Sequence, residues 1–107
     1  MKRCVVGIGS SAERKQTYRA QHAPTIWFVS MASMAAVLSD DNRALLRTIR
    51  DQQPKSLTEL AALTGRKVPN LSRTLRMMAG YGLVELKKNV RDVQPTALAT
   101  EFLVVLE

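Results

Sequence analysis

The stretch from Ser56 to Gly82 restricts the fold more than any other part of the chain, because its helix starts and stops stand at fixed places. Ser56-Leu57-Thr58-Glu59 is a capping box, in which a hydroxyl and a carboxylate satisfy the orphan N–H groups at a helix start. It predicts a short helix from Leu57 to about Thr64, with Leu60 and Leu63 as apolar anchors and Ala61 and Ala62 small. Gly65 stands where a left-handed residue closes a helix. Pro69 suits the first turn of a second helix, which runs to about Ala79, and Gly80 and Gly82 allow it to stop. Beyond Gly82 the period changes to two. Leu83, Val84 and Leu86 predict a strand, Lys88 and Asn89 a turn, Val90 to Gln94 a returning strand, and Pro95 its interruption. Two short helices joined by a tight glycine turn are a helix–turn–helix, and a hairpin directly after it is a wing.

The rest of the chain reads as support. Cys4 to Gly9 is a short apolar strand, and Ser10 with Glu13 caps a polar helix over about 11–21 whose apolar stripe is poor. Pro24 breaks it, and Thr25 to Val29 is β-branched and aromatic, hence a strand. Ser30 caps a helix on which Met31, Met34, Ala35 and Leu38 share one face, either as core or as a dimer seam. Ser39 caps the next, with Asp40 and Asp41 at the positive end of its dipole and Leu45, Leu46 and Ile49 on its buried side. Arg43, Arg47 and Arg50 lie outside that stripe, and Gln52, Gln53 and Pro54 end the helix. Phe102 to Leu106 is a last apolar strand. The two terminal strands are apolar on both faces, so both faces need cover. Pairing with a second copy is the economical solution, and it predicts a homodimer with the terminal elements and the 30–38 helix near the seam.

Composition excludes several classes of function. A chain of 107 residues, 46% of them apolar, suits one small domain with a real core. No apolar run approaches the ~20 residues of a membrane helix. Lys2 and Arg3 resemble the start of a signal peptide, but the apolar stretch from Cys4 to Gly9 is too short and Glu13, Arg14 and Lys15 follow it, which predicts a cytoplasmic protein without membrane contact. The lone Cys4 gives no disulfide framework or multi-cysteine zinc site, and the lone His22 leaves few acid–base options. With no nucleophile motif, the expectation is a non-enzyme without metal or cofactor. Gly7-Ile8-Gly9-Ser10-Ser11-Ala12 has the spacing of a dinucleotide fingerprint. Ser30 to Ser33 occupy the region where a ribose-binding acid belongs, however, and the chain is too short for a doubly wound sheet. A glycine-requiring strand-to-helix turn is the simpler account.

Charge points to an anionic partner. Of the net charge of +7, nearly all sits between residues 62 and 91, where Arg66, Lys67, Arg73, Arg76, Lys87, Lys88 and Arg91 face the single acid Glu85. Advancing about 100° per residue puts Leu71, Leu75 and Met78 on one side of the second helix, with Ala79 and Thr74 beside them. Pro69, Asn70, Arg73, Arg76 and Met77 gather opposite. Arginine can grip guanine, and asparagine adenine, through paired hydrogen bonds in the major groove. Arg73, Asn70 and Arg76 are therefore the expected base-reading residues. Ser56, Ser72, Thr74, Arg66, Lys67, Lys87, Lys88 and Arg91 are the expected phosphate contacts. The aromatic residues Tyr18, Trp27, Phe28, Tyr81 and Phe102 form no basic-aromatic platform, which ranks single-stranded RNA below duplex DNA.

Ser56-Leu57-Thr58-Glu59-Leu60-Ala61, Thr64-Gly65-Arg66, Asn70-Leu71-Ser72-Arg73-Thr74-Leu75 and Tyr81-Gly82-Leu83-Val84, in this order, resemble the winged helix–turn–helix of MarR-like bacterial transcriptional regulators. The likeness is greatest to small predicted regulators in which a stretch like Ile26-Trp27-Phe28-Val29-Ser30 precedes the DNA-binding unit. It covers residues 26 to about 95 well and the first 25 loosely. The resemblance implies an α+β fold, duplex binding through the helix Pro69–Ala79, a wing contact and a homodimer. Long terminal dimerisation helices like those of full-length MarR proteins are not expected from these residues. Two parts are expected: an N-terminal strand and polar helix, 1–25, as an arm for a partner or a second copy, and a winged helix–turn–helix domain with a C-terminal strand, 26–107. The function expected is a dimeric repressor that occludes a promoter. Some relatives serve as antitoxin-like partners, so an antitoxin-like protein-interaction module, its N-terminal segment clamping a toxin-like protein, stands as the alternative.

Overall fold

The computed structural model describes residues 4–9 and 26–105. The polar helix expected over 11–21, with its Ser10–Glu13 cap, lies outside them, as do His22, Pro24 and Leu106. The described residues form strands β1 (Cys4–Ile8) and β2 (Ile26–Phe28), helices α1 (Met31–Val37), α2 (Asp40–Gln52), α3 (Leu57–Thr64) and α4 (Val68–Gly80), and strands β3 (Val84–Lys88), β4 (Val93–Ala97) and β5 (Phe102–Val105). The fold is α+β. Among the described residues no helix is long and apolar enough to cross a membrane.

Serine caps set the helix starts. The hydroxyls of Ser30, Ser39 and Ser56 accept from the amides of Ser33, Asn42 and Glu59 at 3.0, 3.2 and 3.0 Å. In the box at Ser56 the return bond is displaced by one residue, because the Glu59 carboxylate accepts from the Lys55 amide at 3.4 Å. Gly65 has φ +75° and donates to the Ala61 carbonyl at 2.9 Å, the left-handed closure expected of it. Pro69 lies in the first turn of α4, where a missing N–H costs nothing.

Strand pairing departs from expectation. The terminal strands pair with each other within the chain. They form a parallel sheet in the order β2-β1-β5, with Val6 opposite both Ile26 and Val104. Val6 in the central strand is fully buried, whereas Val104 opposite it on β5 is 39% exposed.

The second sheet is the β3–β4 hairpin, registered Val84 to Ala97 through Lys88 to Val93. The returning strand starts at Val93, not Val90. Val90 sits in the loop, 98% exposed. Pro95 does not interrupt β4; it pairs with Leu86. The Asn89 amide donates to the Asp92 carbonyl and the Leu98 amide to that of Leu83, at 2.7 and 2.9 Å. Hydrogen-bonded pairs therefore alternate with an odd-numbered β3 partner, and Leu86–Pro95 is a non-hydrogen-bonded pair. The proline nitrogen faces the open edge, where no N–H is needed.

The core runs through both sheets and all four helices. It holds Val6, Phe28, Leu46, Ile49, Leu60, Leu71, Leu75, Met78 and Leu83. Phe28 and Tyr81 stack with centroids 4.9 Å apart, joining the parallel sheet to the end of α4. On three helices the burial differs from the simplest stripe. On α1 the buried residue is Val37, while Met31 is 53% exposed and Met34 half-buried. On α3 Leu57 replaces Leu63, which is 46% exposed. Met77, expected on the outer side of α4, is half-buried against the core. In each case a rotation of a few tens of degrees about the helix axis exchanges neighbouring residues across the edge of the apolar stripe.

Candidate nucleic-acid interface

Helix α4 is divided along its length. Leu71, Leu75 and Met78 are fully buried, whereas Pro69, Asn70, Arg73 and Arg76 are exposed. The burial of three large side chains 3–4 residues apart leaves the helix no freedom to turn its basic side inward. Arg76 Nε donates to the Ser72 carbonyl at 3.3 Å, which lays its guanidinium along the helix surface. The ion pairs among the described residues are Arg43–Asp40 and Arg50–Asp51, both on α2. Among those residues, no acid neutralises Lys67, Arg73, Arg76, Lys87, Lys88 or Arg91.

A groove of about 430 Å³ separates α4 from the hairpin. Leu57, Leu75, Leu86 and Val93 form its apolar lining, and Ser72, Arg76 and Lys88 its polar one. The structure thus brings three predicted site residues from two elements together. Side chains alternate along a strand, so Lys87 shares the opposite hairpin face with exposed Glu85. Arg66 lies elsewhere: its guanidinium donates to the Asp41 carbonyl at 3.2 Å, at the start of α2. Ser56 is engaged as the cap of α3, and Thr74 is half-buried at the edge of the apolar stripe.

The sequence reading missed Asp92. Its Oδ1 accepts from the Leu57 amide at 3.0 Å and from its own neighbour Val93 at 2.7 Å. Its Oδ2 accepts from the Thr58 hydroxyl at 2.7 Å and the Thr58 amide at 3.4 Å. Asn89 Nδ2 donates to the Lys55 carbonyl at 3.3 Å. The hairpin loop is therefore fastened to the chain on both sides of Ser56. The only sequence signal was an aspartate at the end of a turn, while α3 offered orphan N–H groups 35 residues earlier.

The Thr58 hydroxyl, and then the amides around the carboxylate, hold the Asp92 pKa down to about 2 from the ordinary 3.8. A depressed folded value means a contribution to stability that is fully present above 3.8 and is lost as pH falls through about 2. Thermal melts should show Asp92→Asn less stable than wild type by a constant gap at about pH 5–7, and the gap should close towards pH 2. A gap unchanged down to that pH would contradict the assignment.

An α+β chain in which a basic helix and a hairpin share a groove lined by Arg76 and Lys88 is thus defined. Residues 37–104 match the model of the HVO_A0114 family, from the end of α1 into β5. The match spans well over half of the chain, which belongs to the HVO_A0114 family. Comparison with curated proteins and with solved structures finds no match.

Proposed function

We propose that this protein is a sequence-specific DNA-binding transcriptional regulator, with α3, α4 and the β3–β4 hairpin acting as a winged helix–turn–helix of MarR-like type. The observation that carries the reading is the outer side of α4. Asn70, Arg73 and Arg76 are exposed on a helix whose other side is fully buried, and Lys88 faces Arg76 across the groove. Helix α4 enters the major groove, α3 braces it, and the hairpin meets the adjoining backbone. Asn70, Arg73 and Arg76 read or orient on bases. Lys67, Ser72, Lys88 and Arg91 hold phosphates, with Pro69 shaping the entry of the helix. Arg66, Ser56 and Thr74 support the fold more than the contact, given their partners and burial. The protein works in the cytoplasm as a homodimer on a two-fold site and represses by occluding a promoter. Support for the dimer comes from the exposed Met31 and a second groove of about 590 Å³, lined by Met34, Ala35, Leu38, Phe102 and Val104 among others.

Titration of labelled duplex DNA across a salt series tests the reading. The three cations assigned to phosphates, Lys67, Lys88 and Arg91, predict a slope of log affinity against log salt of about −2.7 per copy. Raising salt from about 50 to about 200 mM should then weaken binding roughly 40-fold per copy. Absence of duplex binding at low salt, or a flat salt dependence, would remove the proposal.

A further inference from the structure

We propose that Asp92 is a positioning residue for duplex binding: by holding the 89–92 loop on the start of α3, it sets Lys88 on the groove it shares with Arg76 of α4 and fixes Arg91 in the docked loop. The inference rests on the reading of that face as a duplex-binding surface. A two-stranded hairpin has little stability of its own. Its base is secured by Leu83, Val84 and Ala97 in the core, but its loop reaches out to the exposed Val90. What ties the loop down is polar. Asp92 takes the first two amides of α3, Leu57 and Thr58, while the Ser56 cap takes the third, Glu59. A carboxylate from the hairpin and a hydroxyl from the preceding turn thus divide the orphan donors of one helix start between them. The Asn89–Lys55 bond closes the loop from the other side. Lys88 and Arg91 stand directly next to these two anchors.

The sign of the charge makes the proposal testable. A carboxylate beside a phosphate backbone opposes binding by simple electrostatics. If charge were its only influence, removing it would tighten binding. If it positions the cations, removing it weakens binding. Asp92→Asn keeps the shape but turns an N–H₂ group towards donors on Thr58 or Leu57.

Duplex titration across a salt series and amide hydrogen exchange should be run on wild type, Asp92→Asn, Thr58→Val and the Lys88→Ala/Arg91→Ala pair, with and without Asp92→Asn. Asp92→Asn is expected to bind about tenfold more weakly, with a salt slope shallower by about 1–2. Faster exchange is expected at Leu57, Thr58 and the hairpin. Thr58→Val removes one donor only and should weaken binding in the same direction, by less; it serves if Asp92→Asn folds poorly. In the background lacking both cations, Asp92→Asn should add no further loss. Wild-type or tighter binding by both single variants, or an equal loss in that background, would overturn the positioning role. Unchanged affinity and salt slope on loss of the two cations would overturn the positioning role alone, whereas absence of duplex binding by the wild type would overturn the duplex reading, which tells the two failures apart.

Discussion

Truncation of Leu75 to alanine is expected to lower stability by about 2–5 kcal/mol, the range for a fully buried leucine whose neighbours cannot collapse into the space. Leu75 is 0% exposed and lies midway along the apolar stripe of α4, between Leu71 and Met78. It also floors the groove between α4 and the hairpin, so its loss loosens two elements at once. A domain of this size has a total stability of about 5–15 kcal/mol, and one such truncation removes a large share. Urea unfolding should show a lower midpoint with an unchanged slope. Leu63→Ala is the control. That side chain is 46% exposed, so its truncation should cost less than about 1 kcal/mol. Equal effects at the two positions would mean that α4 is not packed as described.

Arg73→Ala is expected to do the reverse: unchanged folding and impaired recognition. Arg73 is exposed, and among the described residues it makes no ion pair or side-chain hydrogen bond, so stability should stay within about 0.5 kcal/mol of wild type. If the residue grips a base, affinity for the preferred site falls by about 1–3 kcal/mol, roughly 5–150-fold, and preference at that position relaxes. Selection of bound sites from random duplexes, followed by titration of the winners, measures both. Arg66→Ala should differ in kind, because the Arg66 guanidinium is spent on the Asp41 carbonyl. Unchanged affinity and unchanged preference for Arg73→Ala would withdraw α4 as the reading helix.

The sequence alone determined what depends on neighbours within a turn or so of chain. Ser30, Ser39 and Ser56 start helices because a short hydroxyl reaches an amide three residues on. Gly65 ends one because it accepts a positive φ without strain. The two-sided character of α4 follows from residue spacing at 3–4, and the basic residues on its outer side were legible for the same reason.

Only the tertiary structure decided what depends on which surfaces meet. Cys4–Ile8 and Phe102–Val105 lie side by side in one sheet, although nothing local distinguishes that pairing from pairing with a second copy. Leu57 rather than Leu63, and Val37 rather than Met31, became core because the neighbouring elements settled the rotation of each helix. Asp92 found its partners 34 and 35 residues away, and that bond network fastens the hairpin loop to the start of α3. Short-range hydrogen bonds and periodicity are written in adjacent residues. Strand partners and loop docking are settled by burial and desolvation between distant segments, to which no single segment holds the key.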